Sequence, residues 1–440
     1  MSFLPKNRLV KFLSSFGLAT FSLICLLIIT FLGTVEQTEH GLFESQAKYF
    51  ESWFVRSIDV GCVLRSMQVP YDGVWNLSII FPGGLLAMIL LGVNMTLGGI
   101  LRFDKELIFL AKSPVWLAKF VAACFTWNFK NLPPAPHRIG VLISHFSIVF
   151  MLIAGLVSML AKRDGAMSIL EGRTNDEFLS FHNSVVEIEK LGQAKDAKRT
   201  AVVIDDSFFK DLREGKGRTF THKDVPFELM IYNYEVNAAP LPQKDPKASV
   251  EVVDGYYIHT MKPDVMQEKN ADAAYVKATL KDGSTTKGIL WRYAAEPFTV
   301  KVGDELYGIS LNRRAEKLPF AVRLDKFIHE VHAGTSKARK FSANVTVIDA
   351  DKSEHKRPIT MNDPLRRDGY ALFQSSFDPA AESEGRTPST VLQVVNNPSD
   401  NWPLWSCIAA GIGLAIHFVW MLVRYLRKMK AKSQTVPQPV

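Results

Sequence analysis

Cysteine is scarce in this chain of 440 residues, and its placement limits the possible chemistry. The four cysteines are Cys25, Cys62, Cys124 and Cys407, and none lies within residues 162–403. That long polar segment therefore has no disulfide framework. No C-x-x-C pair is present either, which excludes a dithiol redox centre of the thioredoxin type.

Familiar catalytic and nucleotide-binding motifs are also missing. The chain has no G-x-S-x-G, H-E-x-x-H, G-x-x-x-x-G-K-[ST] or G-x-G-x-x-G sequence. These absences argue against an α/β-hydrolase, a zinc protease, a P-loop protein and a dinucleotide-binding domain. His329 and His332 are three positions apart, one more than the spacing that puts two side chains on the same face of a strand, so we expect no metal site there. Binding and positioning of a ligand are expected rather than catalysis by a named side chain.

Aspartate, glutamate, lysine and arginine are absent from four long apolar stretches. Each stretch has at least about twenty residues, and at about 1.5 Å per residue a helix of that length crosses a hydrocarbon core of about 30 Å. The sequence therefore predicts four transmembrane helices, at residues 12–33, 75–101, 139–161 and 404–423.

Positive charges are distributed unevenly around these spans. Fourteen lysines and arginines but only two acidic residues lie in the N-terminal segment, residues 102–138 and the C-terminal tail. Positively charged flanks are retained in the cytoplasm. We therefore expect a multi-pass protein of the cytoplasmic (inner) membrane, with both termini cytoplasmic. The net charge of +8 is then a topology signal and does not indicate nucleic-acid binding.

These spans divide the chain into eight segments. The predicted segments are a cytoplasmic N-terminus with the first helix (1–33), an extracytoplasmic loop (34–74), the second helix (75–101), a cytoplasmic interfacial segment (102–138), the third helix (139–161), an extracytoplasmic domain (162–403), the fourth helix (404–423) and a basic cytoplasmic tail (424–440).

Two histidines lie inside the predicted spans. On a helical wheel, the small residues Gly140, Ser144 and Ser147 form one side of the third span, and His145 lies away from that side. In the fourth span, His417 shares its face with Gly413 and other small residues. Both histidines lie about 9–11 Å inside the cytoplasmic boundary at 1.5 Å per residue. Ionisable residues are rare in membranes and usually functional, so the pair is either a shared cofactor site or a set of packing hydrogen bonds.

The outer segment is predicted to be rich in β-strands. It opens with an expected helix over residues 174–190, and eight later stretches are short, β-branched or aromatic, and bounded by Gly, Pro or Asp. Without helices between the strands, an antiparallel sandwich or barrel-like fold is expected. The whole chain is thus predicted to be an α+β membrane protein.

Five segments carry a resemblance to a known family. These are GTVEQ (33–37), KYFESWF (48–54), RIGVLISHFSIVFMLIAG (138–155), LPFAVRLDKFIHEVHAGTSKARKFSANVTVID (318–349) and ITMNDPLRRDGYALFQSSFDP (359–379). Together with the order of spans and outer domain, they resemble the ResB-type subunit of the system II cytochrome c biogenesis machinery.

The resemblance implies a role in a membrane complex that delivers haem across the membrane and supports its attachment to apocytochrome c. It implies a multi-spanning, Trp-rich partner subunit, apocytochrome c as a second partner, and transient binding of haem. The chain would be an accessory subunit of the haem lyase. His145 and His417 become candidate haem ligands, since imidazole is a good axial ligand for haem iron, and the loop residue His40 is a third candidate.

Two other functions remain open at this stage. One is a scaffold whose outer domain binds apocytochrome or stabilises the partner without binding haem itself. An unrelated transporter or sensor is the other alternative, although no cytoplasmic signalling domain accompanies the spans.

Overall fold

The computed structural model describes residues 7–73, 75–112, 115, 118, 119, 122, 138–192, 201–213, 215–243, 251–264, 266–332, 338–360, 362–378 and 385–434. The chain divides into two compact units. The helical unit comprises Met1–Ala161 and Pro398–Val440, and the β domain comprises Lys162–Asn397.

Helices and one small sheet build the helical unit. The helices are α1 (Arg8–Leu13), α2 (Phe16–Tyr49), α3 (Val60–Ser66), α4 (Gly84–Asn94), α5 (Asp104–Lys112), α6 (Ile139–Ala161) and α7 (Trp402–Gln434), and a π-helical turn, Met95–Ile100, follows α4. The strands β1 (Phe54–Asp59) and β2 (Asn76–Pro82) pair antiparallel. Most of the predicted interfacial segment 102–138 lies outside the described residues.

The first span is longer than the sequence predicted. Ser15 caps α2 by accepting a hydrogen bond from the Leu18 N–H group, and the helix continues past residue 33 into the predicted loop. Gly41 interrupts it with φ of 83°, a left-handed conformation that glycine adopts without steric cost. Residues 34–74 therefore contain the end of α2, strand β1 and helix α3.

The second predicted span is wrong. Among the described residues, three helices are long and apolar enough to cross a membrane: Phe16–Leu42, Ile139–Ala161 and Trp402–Lys430. Residues 75–101 instead form β2 and the shorter apolar helix Gly84–Ile100. Pro82 ends the strand, and a Cβ atom on Gly83 would lie 2.2 Å from the Ser52 carbonyl oxygen. Hydropathy alone does not separate an apolar strand from part of an apolar helix, which explains the error.

The predicted seam of small residues joins α6 to α7. A Cβ atom on Gly140 would lie 2.4 Å from the carbonyl oxygen of Gly413, so the two backbones are in close contact. Ser406 donates a hydrogen bond to the Ser147 carbonyl oxygen at 2.6 Å. Small residues allow membrane helices to approach in this way, and this part of the prediction is confirmed. Gly155 lies outside the contact, since open space surrounds its Cβ position.

Strands dominate the described part of the β domain. They are β3 (Arg163–Leu170), β4 (Thr174–Lys190), β5 (Val202–Asp205), β6 (Gly217–Phe220), β7 (Phe227–Glu235), β8 (Ala238–Pro242), β9 (Tyr256–Thr260), β10 (Ala273–Leu280), β11 (Thr285–Trp291), β12 (Phe298–Val302), β13 (Glu305–Val331), β14 (Ala338–Ile348), β15 (Glu354–Thr360), β16 (Leu365–Arg367), β17 (Tyr370–Phe377) and β18 (Ser389–Asn396). Short 3₁₀ turns lie at Asp206–Phe208 and Gln267–Lys269.

The strands pair antiparallel in three sheets. The largest runs β15-β14-β13-β4-β3-β18-β17-β16, with β12 on β13 and β5 on β4; the second runs β11-β10-β7-β6, and β8 pairs with β9. Two hydrophobic cores result, one around Phe209, Ile231 and Val276 and the other around Met167 and Leu372. The predicted β-rich antiparallel domain is confirmed.

The helix predicted over residues 174–190 is wrong, because this segment is strand β4. It pairs with β13 from Arg323↔Thr174 to Tyr307↔Lys190 and with β3 on its other side. Its glutamates and apolar residues recur at spacings that also fit a helix. Pairing with β13, which is distant in sequence, and with the preceding strand β3 overrides that local preference, as tertiary pairing often does.

Candidate functional site

A cavity of about 810 Å³ lies in the helical unit, at the end of α7 where the basic residues begin. The rings of Phe103, His417 and Trp420 line it, together with aliphatic side chains. Its volume falls in the range of about 300–1,000 Å³ that is typical of small-molecule and cofactor pockets.

Four arginines from three parts of the chain surround the same cavity. Arg102 follows the π-helical turn, Arg138 precedes α6, and Arg424 and Arg427 belong to α7. None of the described residues that line the cavity is acidic. Guanidinium groups bind carboxylates through paired hydrogen bonds, so the cavity suits a ligand that carries carboxylates on an apolar body.

His417 faces this cavity from the α6–α7 contact. A Cβ atom on Gly140 would lie only 2.7 Å from the backbone nitrogen of His417. Glycine at position 140 therefore allows α6 and α7 to be in close contact beside His417. The Nδ1 atom of His417 is buried and has no hydrogen-bond partner among the described residues. A buried polar atom without a partner is uncommon.

His145 lies on another side of α6. Its Nδ1 atom is 2.8 Å from the carbonyl oxygen of Val141. Because a carbonyl oxygen only accepts, Nδ1 is the donor in this contact, and in the neutral ring Nε2 then has a lone pair, the arrangement found in metal-binding histidines. The ring lies over Gly99 and 6.1 Å from the Phe103 ring, measured between centroids. Thus His417 lines the cavity, whereas His145 contacts a residue of its wall.

His40 lies at the kink of α2, in a cluster of charges. Its Nε2 atom is 3.4 Å from Asp59 Oδ2, and ligand atoms of Glu39, His40 and Asp59 lie within 4.8 Å of one another. That spacing suits a metal ion, but Arg65 already donates two hydrogen bonds to Glu39, at 2.7 and 2.6 Å. The cluster is therefore a neutralised ion-pair network.

The pKa values in this network support the same interpretation. Burial tends to raise the pKa of Asp59, but hydrogen bonds from Cys62 N–H and His40, together with the charge of Arg65, lower it overall. Burial, with help from the nearby carboxylates, raises the pKa of Cys62 to about 11. Its thiol therefore stays protonated and is a poor nucleophile and metal ligand.

Two of the family-like segments bind one another in the helical unit. Glu36 of GTVEQ is buried, and it accepts hydrogen bonds from Lys48 Nζ at 2.6 Å and Tyr49 Oη at 2.6 Å, both in KYFESWF. The Asp59 N–H group is a third donor, at 3.0 Å. These segments therefore fix the position of α2 against β1, a pairing that sequence spacing did not reveal.

Residues of the last family-like segment build the β domain. Leu365 and Leu372 are buried in its second core. Gly369 has φ of 81°, which suits the turn between β16 and β17, and Gln374 accepts a hydrogen bond from Thr390 at 2.9 Å. The motif thus specifies a strand pair and its turn.

His329 packs among aromatic rings of this domain. Ring centroids of Phe341 and Phe377 lie 5.2 and 4.7 Å from its own, and its buried Nε2 atom has no partner among the described residues. The arrangement is a ring cluster between β13, β14 and β17.

Sequence reasoning missed Phe103 and the four arginines of the cavity. The arginines had been counted only as topology signals. Their number near His417 was visible in the sequence, but their convergence from three elements was not.

Comparison with models of protein families gives a match in the β domain. Residues 288–387, in the β domain, match the model of the ResB-like family. A search of curated proteins found no match. The resemblance to ResB-type proteins is thereby confirmed over these residues, and the comparison supports an involvement in cytochrome c biogenesis.

Proposed function

We propose that this protein is a subunit of a membrane complex that delivers haem across the cytoplasmic membrane and supports its covalent attachment to apocytochrome c. The observation that carries the proposal is the cavity beside His417. Haem is a planar apolar ring with two carboxylates and an iron atom. The lining offers apolar walls, arginines and an imidazole, which are the partners that each part of haem requires.

The residues of this chain would bind and orient haem as cargo. Arginines such as Arg424 would pair with the propionates, and the His417 imidazole would approach the iron. Thioether bonds form between thiols of the apocytochrome and the haem vinyl groups, so no cysteine of this chain is needed. The proposed partners are apocytochrome c and a multi-spanning, Trp-rich subunit, with the β domain on the outer side of the inner membrane.

Replacement of the histidines tests the proposal. We expect His417→Ala, in the chain purified with its partner subunit, to lose most of the Soret absorbance and to lower the yield of holocytochrome c. His222→Ala, an exposed position in the β domain, is the control. Unchanged haem content and yield in both His417→Ala and His145→Ala would contradict haem binding by this chain.

A scaffold without haem binding is the second candidate, and the family-like segments favour it. Glu36 with Lys48, and Gln374 with Thr390, hold the fold together and leave no obvious catalytic group. If holocytochrome yield falls in a strain without this protein but haem content is normal in His417→Ala, the scaffold function is supported.

A further inference from the structure

Phe103 lies at the boundary between His145 and the cavity. On one side its ring is 6.1 Å from the His145 ring, and on the other it lines the cavity that His417 also lines. The guanidinium carbon of Arg138 lies 5.9 Å from the Phe103 centroid, within the range of a cation–π contact.

His145 is held in a slot behind this ring. A Cβ atom on Gly99 would lie only 2.5 Å from His145 Cδ2 and 2.8 Å from Cγ, so glycine is needed for the ring to occupy this place. Gly99 belongs to the π-helical turn Met95–Ile100, and π-turns often occur at functional sites. The hydrogen bond to Val141 fixes the ring from its other edge.

We propose that Phe103 determines which histidine reaches a ligand in the cavity: it keeps His145 behind the wall and leaves His417 as the accessible imidazole. The inference rests on the proposed function, because it takes haem as the ligand. With the Phe103 ring removed, His145 would become a second imidazole of this chain that a haem in the cavity could meet, because its Nε2 atom is not the one that contacts the Val141 carbonyl oxygen.

Spectroscopy of haem-loaded full-length protein tests the assignment. The chain is titrated with haem in detergent, and the spin state of the ferric iron is read from its absorption and electron paramagnetic resonance spectra. We expect Phe103→Ala to raise the low-spin, two-imidazole fraction severalfold, and the double variant Phe103→Ala/His145→Ala to reverse the gain. Phe103→Leu keeps the bulk and is the control. A two-imidazole spectrum in the unaltered protein that disappears in His145→Ala would overturn the proposal.

A measurement without haem keeps the inference testable if haem does not bind. In a cysteine-free background, His145→Cys and His417→Cys are labelled with a water-soluble maleimide. We expect slow labelling at position 145 and fast labelling at position 417. Phe103→Ala should make the reaction at position 145 severalfold faster. Equal rates at 145 with and without Phe103 would overturn the role of Phe103, whereas absence of haem binding with the expected labelling would overturn only the proposed function.

Discussion

At the scale of single residues, buried charge is concentrated at Glu36. Its carboxylate is about 1% exposed and receives three donors from sequence positions up to 23 residues away. If one partner of this hydrogen-bond network is removed, the remaining groups are buried without a partner. The resulting loss of folding free energy is larger than the net contribution of the hydrogen bond itself.

Glu36→Gln should therefore destabilise the helical unit by about 3 kcal/mol, since Lys48 loses its counter-charge. The loss is measured as a lower unfolding midpoint of the detergent-solubilised protein. Glu51→Gln, which alters an exposed contact with Gln46, is the control and should change little. Equal midpoints for both variants would mean that the Glu36 network adds no stability.

Arg424→Gln should weaken haem binding without changing the spin state of the iron. Because this arginine is exposed, its contribution is expected to be about 0.5–1 kcal/mol, or roughly a two- to fivefold higher dissociation constant. Lys428→Gln removes a charge from the same helix but not from the cavity lining. A haem titration that shows equal losses in both variants would point to a general charge effect.

At the scale of elements, the α6–α7 contact depends on two glycines. Gly140 and Gly413 face each other so closely that either Cβ atom would lie within 2.7 Å of the opposite backbone. The contact also positions His417, so its disruption should affect both stability and the cavity.

Gly140→Ala should force the helices apart and cost about 1–3 kcal/mol, the usual range for overpacking. Gly155→Ala on the same helix meets open space and should be neutral or stabilising by up to about 1 kcal/mol, because alanine favours helix. Thermal unfolding in detergent compares the pair. If both variants unfold at the same temperature, the close contact is not important for stability.

At the scale of the whole molecule, acid should weaken the β domain. Burial tends to raise the pKa of Asp164 and of Asp325, but hydrogen bonds and charges lower both overall: His182 and Lys162 act on Asp164, and Thr346 and Arg323 act on Asp325. Since each folded pKa lies below the unfolded value of about 3.9, the unfolded chain binds more protons as the pH falls.

The free energy of unfolding of the full-length protein should therefore be steady above about pH 5 and should fall below about pH 4. Asp164→Asn with Asp325→Asn should flatten this fall, whereas the exposed Asp176→Asn should leave it unchanged. Chemical unfolding followed by fluorescence at several pH values provides the comparison. The same pH slope in the double variant would exclude these two carboxylates as its source.

Local composition was enough to predict several features. Long apolar runs predicted the three helices that are long enough to cross a membrane, because an apolar helix satisfies all its backbone hydrogen bonds internally in lipid. The run 75–101, which is also apolar, shows that composition does not suffice in every case. The Gly140 and Ser147 side of α6 was predictable, since small residues are the general means of close helix contact. Short β-branched stretches identified strands such as β7, β10 and β14 for the same local reason.

Features that depend on contacts between segments of the folded chain could not be predicted from local composition. Apolar residues 76–82 form a strand through pairing with β1, and residues 174–190 form a strand because β13 and β3 lie beside them. Matched depth suggested a shared site for His145 and His417, but depth gives no rotation. In the structure, His417 and Phe103 line the cavity, and the His145 ring lies 6.1 Å from the Phe103 ring between centroids. The arginine-lined cavity itself exists only because three elements remote in sequence meet, and no local pattern encodes such a meeting.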